Sequence, residues 1–141
     1  MDKTTPIIRN DMLGWLTWLC VLCCATTLAG CGAETHVKKG DAFYAIGEYF
    51  DAAAEYKKAY SRTPAKEKDK RGERAWKMAE CYRHINYSAK AMGAYQNAIR
   101  YHYPDSMALL YLAQAQHTMG EYKAAIKSYD AFLELVPRHP I

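Results

Sequence analysis

Phenylalanine is scarce in this chain, with three residues against twelve tyrosines. Apolar bulk therefore comes from a side chain with a polar tip, which suits half-buried positions between helices. Charge of one sign is also lacking. Nineteen basic residues stand against fifteen acidic ones, a formal net charge of +4. Lys3 and Arg9 cancel Asp2 and Asp11, so the +4 stays with the residues after 30. Part of it lies in Lys66-Glu67-Lys68-Asp69-Lys70-Arg71, where the signs alternate. Nucleic-acid recognition needs a denser one-sided stripe, so no nucleic acid is expected as a partner. The motifs of common chemistries are missing too: no HExxH, no phosphate loop, no GxSxG and no Gly-rich dinucleotide turn. His36, His84, His102, His117 and His139 are scattered. Cys81 with His84 is a lone pair that lacks two further zinc ligands. Glu48 and Glu121 recur at one position of a repeat, which marks structure and not a catalytic pair. No enzyme activity, metal, cofactor or small-molecule substrate is expected.

With 141 residues, half of them hydrophobic and 24% charged, the chain reads as one small globular domain plus a targeting segment. Residues 1–11 are polar and residues 12–29 are mostly apolar, the layout of a secretory signal. Asp11 weakens the basic region, and Met12 is an alternative start. Leu28-Ala29-Gly30-Cys31 follows the apolar stretch. It resembles the bacterial lipobox: a leucine, two small residues and a cysteine. That resemblance implies a cut before Cys31, removal of residues 1–30 and acylation of Cys31. Two or three acyl chains on one residue anchor a protein nearly permanently. An uncut signal anchor is the alternative; it needs Thr17, Thr26, Thr27 and the glycines inside the bilayer. Gly32 is not the aspartate associated with inner-membrane retention, and no acidic run follows. An outer-membrane anchor facing the periplasm is therefore expected. With Cys31 lipidated, Cys81 is left without a disulfide partner and reads as a small buried apolar residue.

The remaining chain repeats itself. Gly47-Glu48-Tyr49 is followed by Ala52, Tyr56, Ala59 and Pro64; Gly120-Glu121-Tyr122 by Ala125, Tyr129, Phe132 and Pro137. Counted from each glycine, the spacings are 5, 9, 12 and 17 in both. Ala91, Tyr95 and Ala98 keep the spacing between them, with Pro104 one residue late. Upstream of each copy lies a second helical pattern: Gly40 and Phe43; Met78, Ala79 and Tyr82; Leu109, Leu112 and Ala113. Steps of three and four put each set on one helix face. Small residues let the two helices of a hairpin pack closely. Glycine in a left-handed conformation ends the first helix, and proline stops the second.

From Ala91 to Ala125 is 34 residues, the tetratricopeptide period, and these motifs closely resemble that repeat family. The resemblance implies an all-α fold of antiparallel hairpins stacked as a short solenoid over 31–139, with units at about 33–66, 72–105 and 106–139. Residues 67–71 are five extra, expected as a solvated helix extension. Three departures stand out. His36 and Lys39 replace apolar residues, so the first helix is expected to fray. Asn86-Tyr87 replaces the Gly-x-Tyr turn. No polar capping helix follows Pro137-Arg138-His139-Pro140-Ile141, so either the third unit is self-capped or the chain is part of a longer protein. A generic hairpin array in another register is the alternative reading.

By the same resemblance, the first helices line a concave groove that binds a protein or peptide partner. The exposed groove positions are Asp41 and Tyr44; Trp76, Glu80, Arg83 and His84; and Leu110, Gln114 and His117. The family's two-carboxylate clamp of Lys, Asn and Arg is missing, because Asp41 and Glu80 stand where it wants neutral or basic groups. An extended or helical segment is expected instead. Lipobox, early repeats and Tyr-rich hairpins together resemble the amino-terminal part of OmpA-family, PorE-like envelope lipoproteins of Bacteroidetes. That resemblance implies an adaptor in an envelope assembly, such as type IX secretion. A spacer between outer membrane and peptidoglycan, carrying a further carboxy-terminal domain, and a barrel-assembly accessory lipoprotein are the alternatives.

Overall fold

The computed structural model describes residues 32–136, which form six α-helices and no strand. Helix α1 covers 32–45, α2 Tyr49–Arg62 and α3 Lys68–His84. Helix α4 covers Ser88–Arg100, α5 Met107–Thr118 and α6 Tyr122–Leu135. From α2 onward each helix packs against the next in the chain. The expected all-α stack of hairpins is the architecture observed, as α1/α2, α3/α4 and α5/α6. The signal segment and Cys31 lie outside the described residues.

The three hairpin turns use one device. Gly47, Asn86 and Gly120 all sit in the left-handed region, at φ 81°, 58° and 78°. In each, the next residue's amide reaches back across the turn: Glu48 N–H to Phe43 O at 3.0 Å, Tyr87 to Tyr82 at 2.8 Å, Glu121 to Gln116 at 2.8 Å. The turn residue itself donates to Tyr44, Arg83 or His117 at 3.0–3.1 Å. This paired pattern satisfies carbonyls that a helix end would otherwise leave open. Asn86 is thus no break in the repeat, because asparagine tolerates the left-handed conformation better than other side chains. His102 (φ 57°) repeats the motif after α4, with its N–H on Ile99 O at 2.9 Å and that of Tyr103 on Ala98 O at 3.0 Å.

The junction from α2 to α3 is built differently. Thr63 is extended (φ −78°, ψ 124°), as the residue before a proline must be. Its hydroxyl donates to Ala59 O at 2.7 Å. The extra residues lengthen α3, which has 17 residues and begins at Lys68, earlier than the predicted unit boundary at 72. Arg71 ties this extension down. Its guanidinium lies 4.3 Å from the Tyr60 ring centre and 5.1 Å from that of Tyr101, and it donates to Thr63 O at 2.8 Å.

Alanine and tyrosine make the core. Ala52, Ala59, Ala75, Ala79, Ala98 and Ala113 are wholly buried, and Tyr56 and Tyr95 are the largest fully buried side chains. The helices approach so closely that a methyl on Gly40 would fall 2.6 Å from the Tyr56 ring. Cys81 is buried, as expected, and its thiol is pushed up to about 12 by burial and then by Glu80. The predicted fraying of α1 is not found. His36 is fixed between Glu55 and Arg62, with Nδ1 2.6 Å from the carboxylate and Nε2 2.5 Å from the guanidinium. Two polar partners from α2 thus replace the apolar contact that the position usually supplies.

Candidate protein-binding groove

The first helices of the hairpins, α1, α3 and α5, carry all the expected groove positions. Gly40, Ala79 and Ala113 each stand seven residues before a left-handed turn residue, and one step further come Asp41, Glu80 and Gln114. Tyr56, fully buried on α2, donates its hydroxyl to Asp41 Oδ1 at 2.7 Å. Tyr95, fully buried on α4, makes the same bond to Glu80 Oε1. The repeat therefore places a carboxylate on the inner helix wherever the outer helix buries a tyrosine, so that the hydroxyl is never left unpaired.

Both carboxylates also hold a cation. Lys77 Nζ lies 2.9 Å from Asp41 Oδ1. Arg83 grips Glu80 through Nε at 3.2 Å and Nη2 at 2.7 Å. Burial pushes Asp41 up, but the hydrogen bonds from Lys77 and Tyr56 outweigh it and leave the group below its ordinary range. The Glu80 carboxylate raises Arg83 further above its ordinary value. Asp41 and Glu80 are thus internally matched, which differs from the freely exposed groups that helix periodicity leads one to expect.

Trp76 is the centre of an aromatic cluster. It stacks on Tyr103 (centroids 5.0 Å, 17°) and Tyr111 (6.0 Å, 28°), and meets Tyr95 edge-on at 5.6 Å. The Arg83 guanidinium lies 4.5 Å over Tyr111, within cation–π range. Trp76 and Tyr111 are half-buried. The result is a group of stacked, half-buried rings centred on Trp76, with the Arg83 guanidinium over Tyr111. A shallow depression of about 420 Å³ adjoins it, lined by Asp69, Lys70, Glu73, His102, Tyr103 and Pro104.

The other predicted positions fall into two groups. Tyr44 and His84 come together, with Tyr44 Oη 3.2 Å from His84 Nε2 and the His84 ring stacked on Tyr49 at 4.3 Å. On α5, Leu110 is half-buried, while Gln114 and His117 are exposed. His117 meets Tyr122 edge-on at 5.4 Å. Sequence reasoning missed Lys77, Tyr103 and Tyr111. Lys77 and Tyr111 each follow a predicted groove position, Trp76 or Leu110, so a slightly wider helical stripe finds them. Tyr103 lies in the turn after α4, where helix periodicity carries no signal.

Residues 88–140 match the family model described as tetratricopeptide repeat. The chain has the tetratricopeptide-repeat fold. Several solved structures share it. MamA superposes with a TM-score of 0.64 at 24% identity, over 75% of this chain and 59% of that one. The tetratricopeptide-repeat domain of Arabidopsis FLU gives 0.65 at 16% identity, over 75% and 95%. The first tetratricopeptide-repeat domain of Spaghetti, bound to an HSP90 peptide of sequence SRMEEVD, gives 0.64 at 21% identity, over 78% and 83%. At these identities the likeness is one of fold. This chain spans less than two thirds of MamA's length. No curated protein matches the chain.

Proposed function

We propose that this chain is a non-catalytic lipoprotein, held at the outer membrane by acyl chains on Cys31, whose concave face binds an extended or helical segment of a protein partner in a cell-envelope assembly. The observation that carries the reading is the Trp76 cluster. Its four aromatic rings come from α3, α4, the turn after α4 and α5. Rings held by one another lose little freedom when a ligand settles on them, and pre-ordering of this kind favours affinity. Trp, Tyr and Arg are also the residues that most often dominate binding energy. Pairing of Asp41 with Lys77 and of Glu80 with Arg83 keeps the face close to neutral. A segment presenting an apolar or aromatic side chain therefore suits it better than a doubly acidic tail. The Leu28-Ala29-Gly30-Cys31 motif supports the anchor.

The test is a crosslinked pull-down from envelope extract with the full lipoprotein beside a Trp76→Ala, Arg83→Ala variant. Loss of a defined partner by a variant that stays helical by circular dichroism supports the groove. Capture of the same proteins by both sinks it, and makes the repeats a spacer.

A further inference from the structure

Helix α6 repeats the plan of α2 and α4, but the face those helices bury is open in α6. At positions spaced 4, 3 and 4 apart, α2 carries Tyr49, Ala53, Tyr56 and Tyr60, and α4 carries Ser88, Met92, Tyr95 and Ile99. These positions meet the first helix of the following hairpin. Lys77 of α3 stands 5.7 Å over the Tyr56 ring, and Tyr111 of α5 lies 5.9 Å from Tyr95. Accordingly Ala53, Tyr56 and Tyr95 are at most 2% exposed. The equivalents on α6 are Tyr122, Ile126, Tyr129 and Leu133. Tyr122, Ile126 and Leu133 are 60%, 59% and 53% exposed, and Tyr129 is half-buried. This is a continuous apolar seam at the alternating spacing that two paired helices use.

The charges beside the seam say what covers it. At about 100° per residue, Lys123, Lys127, Asp130 and Glu134 line one flank of the seam. The two cations lie in the amino-terminal half of the helix and the two carboxylates in the carboxy-terminal half. All four are exposed, and among the described residues none of them forms an ion pair. Such a face complements itself when a second copy runs antiparallel to it. A two-fold axis near the middle of the helix sets Lys123 and Lys127 of one copy toward Asp130 and Glu134 of the other, in both directions. A parallel two-fold pair would instead set this flank beside the opposite, uncharged flank of its partner, around Ala125, Ser128 and Phe132, and leave all four charges unmatched.

We propose that this face is a homodimer interface, formed by antiparallel pairing of α6 with α6 of a second copy. Ile126 and Tyr129 of the two copies form its middle, with Tyr122 against Leu133 at each end. Isologous contacts of this kind close at two subunits. The pairing does not use the inner face of α1, α3 and α5, so a dimer offers two binding grooves. A partner with repeated segments is then held by avidity.

Two surface variants of the full chain in detergent, followed by analytical ultracentrifugation, test the pairing. The acidic variant is Lys123→Glu with Lys127→Glu, and the basic variant is Asp130→Lys with Glu134→Lys. Wild type should show a concentration-dependent dimer. Each variant alone should self-associate at least about tenfold more weakly, because like charges now face one another. Mixed one to one, the two variants should form a heterodimer. A wild-type chain that stays monomeric, with the seam closed by residues after 136 or by a different protein, overturns the proposal. So does undiminished dimerisation of both variants, or a mixture that stays monomeric.

Discussion

The Tyr56 hydroxyl donates to Asp41 across 2.7 Å, and that bond fixes a ring whose edge lies where a methyl on Gly40 would have to go. Helix spacing, the identity of the residue at 40 and the polarity of the inner face are therefore one constraint. The same carboxylate also holds Lys77 of the next hairpin, so one residue links α1, α2 and α3.

Gly40→Ala should destabilise the fold although alanine is the better helix former. The new methyl meets the Tyr56 ring at 2.6 Å, and overpacking of this kind costs about 1–3 kcal/mol. Gly93→Ala on α4 is the control, because its methyl would meet nothing within 4 Å. It should gain roughly 0.5–1 kcal/mol from helix propensity. Urea unfolding of the two variants should shift in opposite directions.

His102→Gly should stabilise the fold. His102 holds a left-handed conformation at φ 57°, which costs a residue other than glycine on the order of 1 kcal/mol. The greater freedom of glycine in the unfolded chain offsets part of this, leaving a gain of about 0.5 kcal/mol. Asn86→Val, at φ 58°, should lose at least about 1 kcal/mol, since a β-branched side chain suits this conformation least. Thermal melts of the two variants should separate to either side of wild type.

Acid should unfold the first hairpin through Glu55. Hydrogen bonds from Lys58 and then His36 hold its carboxyl down at about 2, from an ordinary 4.5. A carboxylate depressed in the folded state contributes stability that is complete above its unfolded value and is lost as pH falls through its folded one. The loss therefore runs from about pH 4.5 to about pH 2. Glu55→Gln should flatten the fall in urea midpoint over that window.

Cys81 should resist alkylation in the native protein. Its side chain is wholly buried and its thiol is pushed up to about 12, so both access and thiolate are lacking. Mass spectrometry of the Cys81 peptide after iodoacetamide should show labelling only once urea opens the chain.

The repeat was legible because its marks are local. Gly47, Gly120, Tyr56, Tyr95 and the small residues at 40, 79 and 113 each answer a nearby steric demand. Asn86 looked like a departure only because two residue types can satisfy one backbone conformation. The site was half legible. Helix periodicity brought Trp76, Glu80 and Arg83 to one face, but a period says nothing about partners across helices. Hence the carboxylates at 41 and 80 looked free, whereas buried tyrosines from the second helices occupy them. Tyr103 reaches Trp76 from a turn, where no period exists. The His36 contacts join residues 19 and 26 apart, a separation that a single helical pattern does not span.

If the concave face binds a partner, a photo-crosslinking map in intact envelopes should trace it. A photoreactive phenylalanine analogue replaces Gln114 or His84 on the inner face, or Gln96 on the outer side of α4, all three exposed. Positions 114 and 84 should give one and the same crosslinked protein, and position 96 none of it. Equal crosslinking from all three, or crosslinking from 96 alone, would contradict binding at the concave face.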